Sequence, residues 1–326
     1  MRDGHQPMVA GAPNETLGAP AAGMLRIRNL TLLLTLQCPA TCLHCGTNSS
    51  PTHRAAMSPA LARAAIFAAA RRNLPLVLSG GEPMLRPTLV LELAQLARAS
   101  GIAVAVSSNA YWAADLRSAR ALVGRLAAAG VDALLLSTDV FHAAFVPWRR
   151  VEHAARAARE LGLKCQIALP SRPNDRFTKR LERRFAAIDG VVVRRHPISA
   201  TGRARELPAA MFEAGVHDRA CDTIGELAIL PDGRVLACCA GSIDLPSAAP
   251  LSGRSDEDLD AAIARFQGDP LLREIQEQGP LRAAVWEHGR RRDFVPLSVL
   301  AFPDLCSACR CVCVRAAVAR GQFSDA

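Results

Sequence analysis

The chain has 326 residues, half of them apolar, so a large core is expected in one domain or two modest ones. No apolar run approaches the ~20 residues of a membrane-spanning helix, which argues against a helical membrane protein. The formal charge of +9 is spread over arginine pairs such as Arg71-Arg72 and Arg149-Arg150. It reads as solvated helix faces, and with no helix-turn-helix or zinc-finger pattern beside it, no nucleic-acid partner is expected.

Residues 1–24 carry Gly4, Gly11, Pro13, Gly18 and Pro20 with little periodicity and read as a disordered tail. They lack the basic start and apolar centre of an export signal. Eleven cysteines then point to a reducing cytoplasm and to metal ligation rather than disulfides.

Leu30 to Leu36 reads as a buried strand running into Cys38-Pro39-Ala40-Thr41-Cys42-Leu43-His44-Cys45. Three thiols at spacings of four and three, just past a strand's C-terminal end, are soft ligands suited to an iron–sulfur cluster, zinc or Cu(I). Three is one short of the usual four for a cluster and leaves one metal ion open to an outside ligand. The plainer reading is core cysteine, because 38, 42 and 45 would also share one helix face.

Ser58-Pro59 opens a helix to about Arg72, with serine as N-cap and proline at the first turn. Pro75 to Ser79 is a second strand, running into Gly80-Gly81-Glu82-Pro83, and Pro87 starts a helix that stops near Gly101. The third strand, Ile102 to Ser107, leads to Ser108-Asn109, and Asp115 caps a helix ending at Gly130. Ala133 to Leu136 is the fourth strand, followed by Ser137-Thr138-Asp139. A helix over 149–161, a strand from Leu163 to Leu169 and a helix from Asn174 to Ala187 come next. Cys165, in that strand, reads as core. The sixth strand, Val191 to Val193, ends at His196-Pro197. Six strands recurring about every 30 residues and alternating with helices predict βα units on a parallel sheet. Six units rather than eight predict an α/β fold built as a partial (βα)6 barrel over residues 25–205, with polar groups at the C-terminal strand ends.

From residue 206 to 326 the pattern changes, and cysteines return at Cys221, Cys238, Cys239, Cys306, Cys309, Cys311 and Cys313. Leu227 to Leu236 reads as a hairpin around Pro231-Asp232-Gly233, and Ser255 to Gln278 as helix interrupted at Gly268-Asp269-Pro270. A hairpin joining thiols to a distant cysteine run can wrap a cluster or a zinc ion. Free core thiols are the remaining reading.

Two motifs give the chain a family resemblance. Cys38 to Cys45 resembles the C-x-x-x-C-x-x-C signature of the radical S-adenosylmethionine (radical SAM) enzymes, and Gly80-Gly81-Glu82-Pro83 resembles their GGEP motif. The resemblance covers roughly residues 25–205. It implies a [4Fe–4S] cluster on Cys38, Cys42 and Cys45, whose open iron binds S-adenosylmethionine, and reductive cleavage to a 5′-deoxyadenosyl radical that abstracts hydrogen from a substrate. It implies cofactor contacts for His44, Gly80, Gly81, Glu82, Pro83, Asn109, Ser137 and Asp139, with Gln166 a further candidate. No residue is singled out as a substrate acid or base; Asp139, His142 and His196 are candidates by position alone.

Cys221, Gly233 and Cys238 resemble the start of the SPASM or twitch domains that carry auxiliary [4Fe–4S] clusters. Cys306, Cys309, Cys311 and Cys313 depart from that pattern by their tight spacing, so one auxiliary cluster is expected. The resemblance implies peptide maturation: a ribosomally made peptide substrate, an external electron donor and, if a leader is read, a separate leader-binding protein or the core itself to read it. A small-molecule or cofactor-precursor substrate is the alternative within the family. A non-catalytic iron–sulfur or zinc protein is the alternative outside it.

Overall fold

The computed structural model describes residues 23–213, 219–238, 259–290 and 302–319. The predicted tail over 1–22 and Cys239 lie outside the described residues. Among those described, no helix is long and apolar enough to cross a membrane.

Six parallel strands form the body of the sheet: β1 (Asn29–Leu33), β2 (Leu76–Ser79), β3 (Val104–Ser108), β4 (Ala133–Ser137), β5 (Lys164–Ser171) and β6 (Val191–Pro197). Helices α1 (Pro59–Arg71), α2 (Pro87–Ala99), α3 (Leu116–Ala129), α4 (Trp148–Glu160) and α5 (Arg176–Ala186) connect them. This is a partial (βα)6 barrel with a cysteine-rich C-terminal region. Strands β1 to β4 are largely apolar and buried because both faces are covered, whereas β6, at the sheet's edge, is half-exposed and carries Arg194 and Arg195. Leu76, Leu78, Val104, Val106, Leu134 and Leu136 pack outward in the main core, which includes the helices. Val77, Ala105, Ala133 and Leu135 form a smaller cluster on the other face.

The local signals explain where helices begin and end. Ser58 caps α1 by accepting from Leu61 N at 3.2 Å. At α3, Asp115 accepts from Ser118 N at 2.7 Å while Ser118 Oγ accepts from Asp115 N at 3.1 Å, a reciprocal cap. Gly130 ends α3 at φ +95°, a conformation that favours glycine. Glu152 of α4 pairs with Arg156 on its own helix at 2.9 Å and with Arg184 of α5 at 2.8 Å, locking the two helices together.

The predicted hairpin forms as β7 (Glu226–Ile229) and β8 (Val235–Leu236). Its first strand pairs parallel to β1, matching Asn29 with Glu226 and Leu32 with Ile229, so the sheet has eight strands in the order β6-β5-β4-β3-β2-β1-β7-β8. The predicted helical interruption also appears, between α6 (Leu259–Gly268) and α7 (Pro270–Gln278), where Asp269 caps the second helix. Two further helices follow, α8 (Pro280–Arg290) and α9 (Leu305–Ala319). One apolar core runs from the barrel helices through Cys221, Cys238, Cys309 and Cys313.

Candidate functional site

A cavity of about 280 Å³ opens at the C-terminal ends of the parallel strands. Its lining brings together Cys38, Cys42 and Cys45 with His44, Gly80, Gly81, Asn109 and Ser137, drawn from the loops after β1, β2, β3 and β4. His142, His196, Ser199 and Thr201 close its other side. Cys38 and Cys42 are buried. Burial pushes the Cys38 thiol up to about 11, with the charges of Glu82 and Cys45 adding to the effect. Burial likewise raises Cys42, reinforced by Asp139 and the other two thiols. Such groups resist becoming thiolates together unless a cation neutralises them, which is the condition a metal centre supplies. One ring nitrogen each of His44 and His142 lies within 4.8 Å of Cys42 Sγ.

The double glycine is required by the neighbouring chain. A Cβ on Gly80, whose φ is +146°, would stand 2.3 Å from Thr35 O; one on Gly81 would stand 2.5 Å from Gln37 O. Gly81 N donates to Thr35 O at 2.7 Å and Glu82 N to Gln37 O at 2.9 Å, so this turn is zipped against the segment leading to Cys38.

Glu82, expected at the cofactor, is fully buried beneath the cavity, and Pro83 is buried beside it. Its carboxyl accepts from Ser108 Oγ at 2.9 Å, Asn109 N at 2.9 Å and Met84 N at 3.1 Å. Burial pushes this carboxyl up to about 7 despite those bonds. Asn109 is fixed by that contact and donates from Nδ2 to Cys38 Sγ at 3.5 Å.

Asp139 also turns away from the cavity. It is fully buried, and its Oδ1 accepts from Phe141 N at 2.6 Å and His142 N at 2.9 Å. Its Oδ2 lies 2.8 Å from His44 Nε2 and 2.7 Å from His142 Nδ1. Burial opposes its charge, yet the two imidazoles hold it well below the usual carboxylate range. The carboxylate therefore fixes two rings that do face the cavity. His44 stacks on Phe141 with centroids 4.9 Å apart, and its buried Nδ1 has no protein partner. Gln166 lines a separate small cavity with Arg159 and Gly190.

Sequence reasoning missed Arg203. It follows β6 and grips the cysteine loop at three points: Nη1 to Cys42 O at 2.6 Å, Nη2 to Ser49 O at 2.7 Å, and its backbone N to Cys45 O at 2.9 Å. Gly202, at φ +52°, permits the approach, since a Cβ there would stand 2.5 Å from Cys45 O. No periodicity or motif announces this residue.

The C-terminal thiols gather at a second place. Cys306, Cys309 and Cys313, three and four residues apart, share one face of α9. The charges of Cys309 and Cys238 oppose ionisation of Cys221, which burial pushes up to about 12. Burial raises Cys306 well above the ordinary thiol range, with Asp304, Cys238 and Cys221 adding to it. Hydrogen bonding to Cys313 and burial do the same for Cys309. Cys311 stands apart: two residues past Cys309 on a helix, it points elsewhere and lines a separate groove.

Residues 32–175 match the family model of the radical SAM superfamily. The chain is 21% identical over 267 residues to YydG of Bacillus subtilis strain 168, whose name proposes a role in peptide biosynthesis; the match spans 77% of this chain and 81% of that one. Among solved structures, SuiB of Streptococcus suis bound to its precursor peptide SuiA superimposes with a TM-score of 0.54 at 15% identity, over 78% of this chain and 67% of SuiB. The protein anSMEcpe with bound AdoMet gives 0.53 at 13% identity, over 76% and 84%.

Proposed function

We propose that this chain, a radical SAM superfamily enzyme, matures a ribosomally made peptide with a [4Fe–4S] cluster held by Cys38, Cys42 and Cys45. When bound, the cluster and S-adenosylmethionine supply reductive cleavage of a carbon–sulfur bond and a radical able to abstract hydrogen from carbon. The observation that carries the reading is the convergence of those three thiols, two of them buried, with the double-glycine turn, Asn109 and Ser137 on one cavity at the strand ends.

The residues divide the work. Cys38, Cys42 and Cys45 ligate; Asn109 donates to the Cys38 sulfur, and Arg203 holds the loop that carries all three. Gly80, Gly81 and Ser137 line the cavity and would contact the cofactor when it is bound. Glu82 acts from below by fixing Ser108 and Asn109, and Asp139 by fixing His44 and His142. The packed barrel keeps bulk water from the reacting centre.

Residues 206–326 form a SPASM- or twitch-like unit with one auxiliary [4Fe–4S] cluster. Cys221, Cys238, Cys306 and Cys309 are its ligands, with Cys313 beside Cys309. Two free-thiol ligand sets suit a reducing cytoplasm. An external donor supplies electrons, and a leader, if one is present, is read by a separate protein or by the core itself. YydG's name and the precursor peptide on SuiB, which shares the fold, support a peptide over a small molecule.

The test incubates the reduced, reconstituted enzyme with S-adenosylmethionine and the peptide encoded beside its gene. Deoxyadenosine together with a changed peptide mass is expected. Deoxyadenosine with an unchanged peptide would overturn the peptide reading, and turnover of a small metabolite would replace it.

A further inference from the structure

The reaction cavity, at about 280 Å³, lies at the lower edge of the ~300–1,000 Å³ typical of small-ligand pockets. With a cofactor inside, it has no room for an extended length of peptide. A peptide substrate must rest the remainder of its length elsewhere on the protein.

A second, larger hollow lies directly behind one wall of that cavity. It measures about 870 Å³ and runs between the segment after β6 and helix α9. Its apolar floor includes Leu207, Phe212, Phe302 and Val314. Arg205, Arg310 and Arg315 border it, and none of the described residues lining it is acidic. A positive rim over an apolar floor complements a chain carrying carboxylates and apolar side chains in alternation.

The two hollows share a wall. Ser199 and Thr201 face the reaction cavity, while Ala200 and Arg205 face the groove. The wall is tied on both sides. Ala200 N donates to Asp304 Oδ2 at 2.8 Å, and Arg310 Nη1 donates to Ala200 O at 3.2 Å. From the same wall, Arg203 reaches the cysteine loop. A groove built in this way is preorganised, so an occupant meets little ordering cost from the protein.

We propose that this groove docks an acidic, apolar segment of the peptide substrate, leaving a neighbouring stretch to pass around the wall to the mouth of the reaction cavity. The inference rests on the peptide reading above and adds where and by what chemistry the peptide is held. The floor is apolar and Phe212 is only 4% exposed, which favours a peptide over a nucleic-acid strand needing open aromatic faces for base stacking.

The test uses the reconstituted full chain and fluorescence anisotropy. The probe is a fluorescein-labelled dodecapeptide alternating Glu and Leu; a Lys/Leu counterpart and a dodecathymidylate serve as competitors. The acidic peptide should bind, weaken with added salt, and lose roughly tenfold in affinity in Arg205→Glu/Arg315→Glu. The neutral pair Arg205→Gln/Arg315→Gln should lose less, with both variants checked for fold by circular dichroism. Arg63→Glu/Arg117→Glu, equal in charge change but on exposed positions of α1 and α3, should bind as wild type does. Equal binding by all variants, or stronger competition by the oligonucleotide, would overturn the proposal.

A second readout separates this inference from the reading beneath it. If wild type modifies its neighbouring peptide and the charge-reversed variant does so with unchanged KM, the groove assignment falls and peptide maturation stands. If wild type modifies no peptide, the reading beneath falls and takes the assignment with it.

Discussion

Glu82 gives the most quantitative prediction. Its carboxyl is fully buried under the cavity and pushed from an ordinary 4.5 up to about 7. Between those two values the folded protein holds a proton that the unfolded chain has released, so stability falls as pH rises. Below that window both states are protonated; above it both are ionised, and the full cost persists. Integrating from pH 5 to pH 8 gives a loss of roughly 2–3 kcal/mol from this one group. Glu82→Gln cannot titrate. Its baseline stability differs, because the amide NH2 meets the Asn109 N–H that the carboxylate now accepts. The decisive quantity is therefore the change with pH of the difference between variant and wild type. Urea unfolding of the iron-free protein under anaerobic conditions measures it at both pH values. The difference should move by roughly 2–3 kcal/mol in favour of the variant from pH 5 to pH 8. Parallel pH profiles would refute the reasoning.

Three further outcomes follow from the geometry. Arg203→Met removes two charge-assisted bonds to loop carbonyls, so the cysteine loop should loosen by about 2–4 kcal/mol, with lower iron uptake and a broadened cluster signal; Arg203→Lys should recover part of both. Gly202→Ala places a Cβ 2.5 Å from Cys45 O at a positive φ and should destabilise the fold by at least about 2 kcal/mol by thermal denaturation. Glu152→Gln should cost about 1–2 kcal/mol at neutral pH. Burial opposes the Glu152 charge, but Arg156 and Arg184 hold its carboxyl below the ordinary range. Its contribution is therefore present above the ordinary glutamate range and lost as pH falls through the folded value, where variant and wild type should converge in urea unfolding.

Much of the barrel is legible in the sequence because its signals are local. Ser58, Asp115 and Gly130 act where they stand in the chain, and each apolar strand run is bounded by turn residues. The parallel pairing of β7 with β1 depends on contacts between residues about 200 apart, which no local pattern encodes. Glu82 and Asp139 stand at the expected strand ends, yet their side chains turn inward; sequence position gives the loop and not the rotamer. Arg203 is invisible for the same reason, since its partners are carbonyls on a loop about 160 residues earlier. Cys311 is a different case. Its separation from Cys306, Cys309 and Cys313 follows from helical periodicity once residues 305–319 are known to be helical, and the dense cysteine run hides that periodicity.

The proposed function requires two separate metal-binding places, of which only the one at the strand ends would meet the cofactor. Iron and sulfide analysis of anaerobically reconstituted protein tests it most directly, combined with electron paramagnetic resonance of the reduced form before and after S-adenosylmethionine. Wild type would be compared with the Cys38/Cys42/Cys45→Ala variant. The account predicts about eight irons in wild type, about four in the variant, and loss in the variant of only the signal that responds to the cofactor. A wild-type signal indifferent to S-adenosylmethionine, or a variant that keeps the responsive signal, would contradict it.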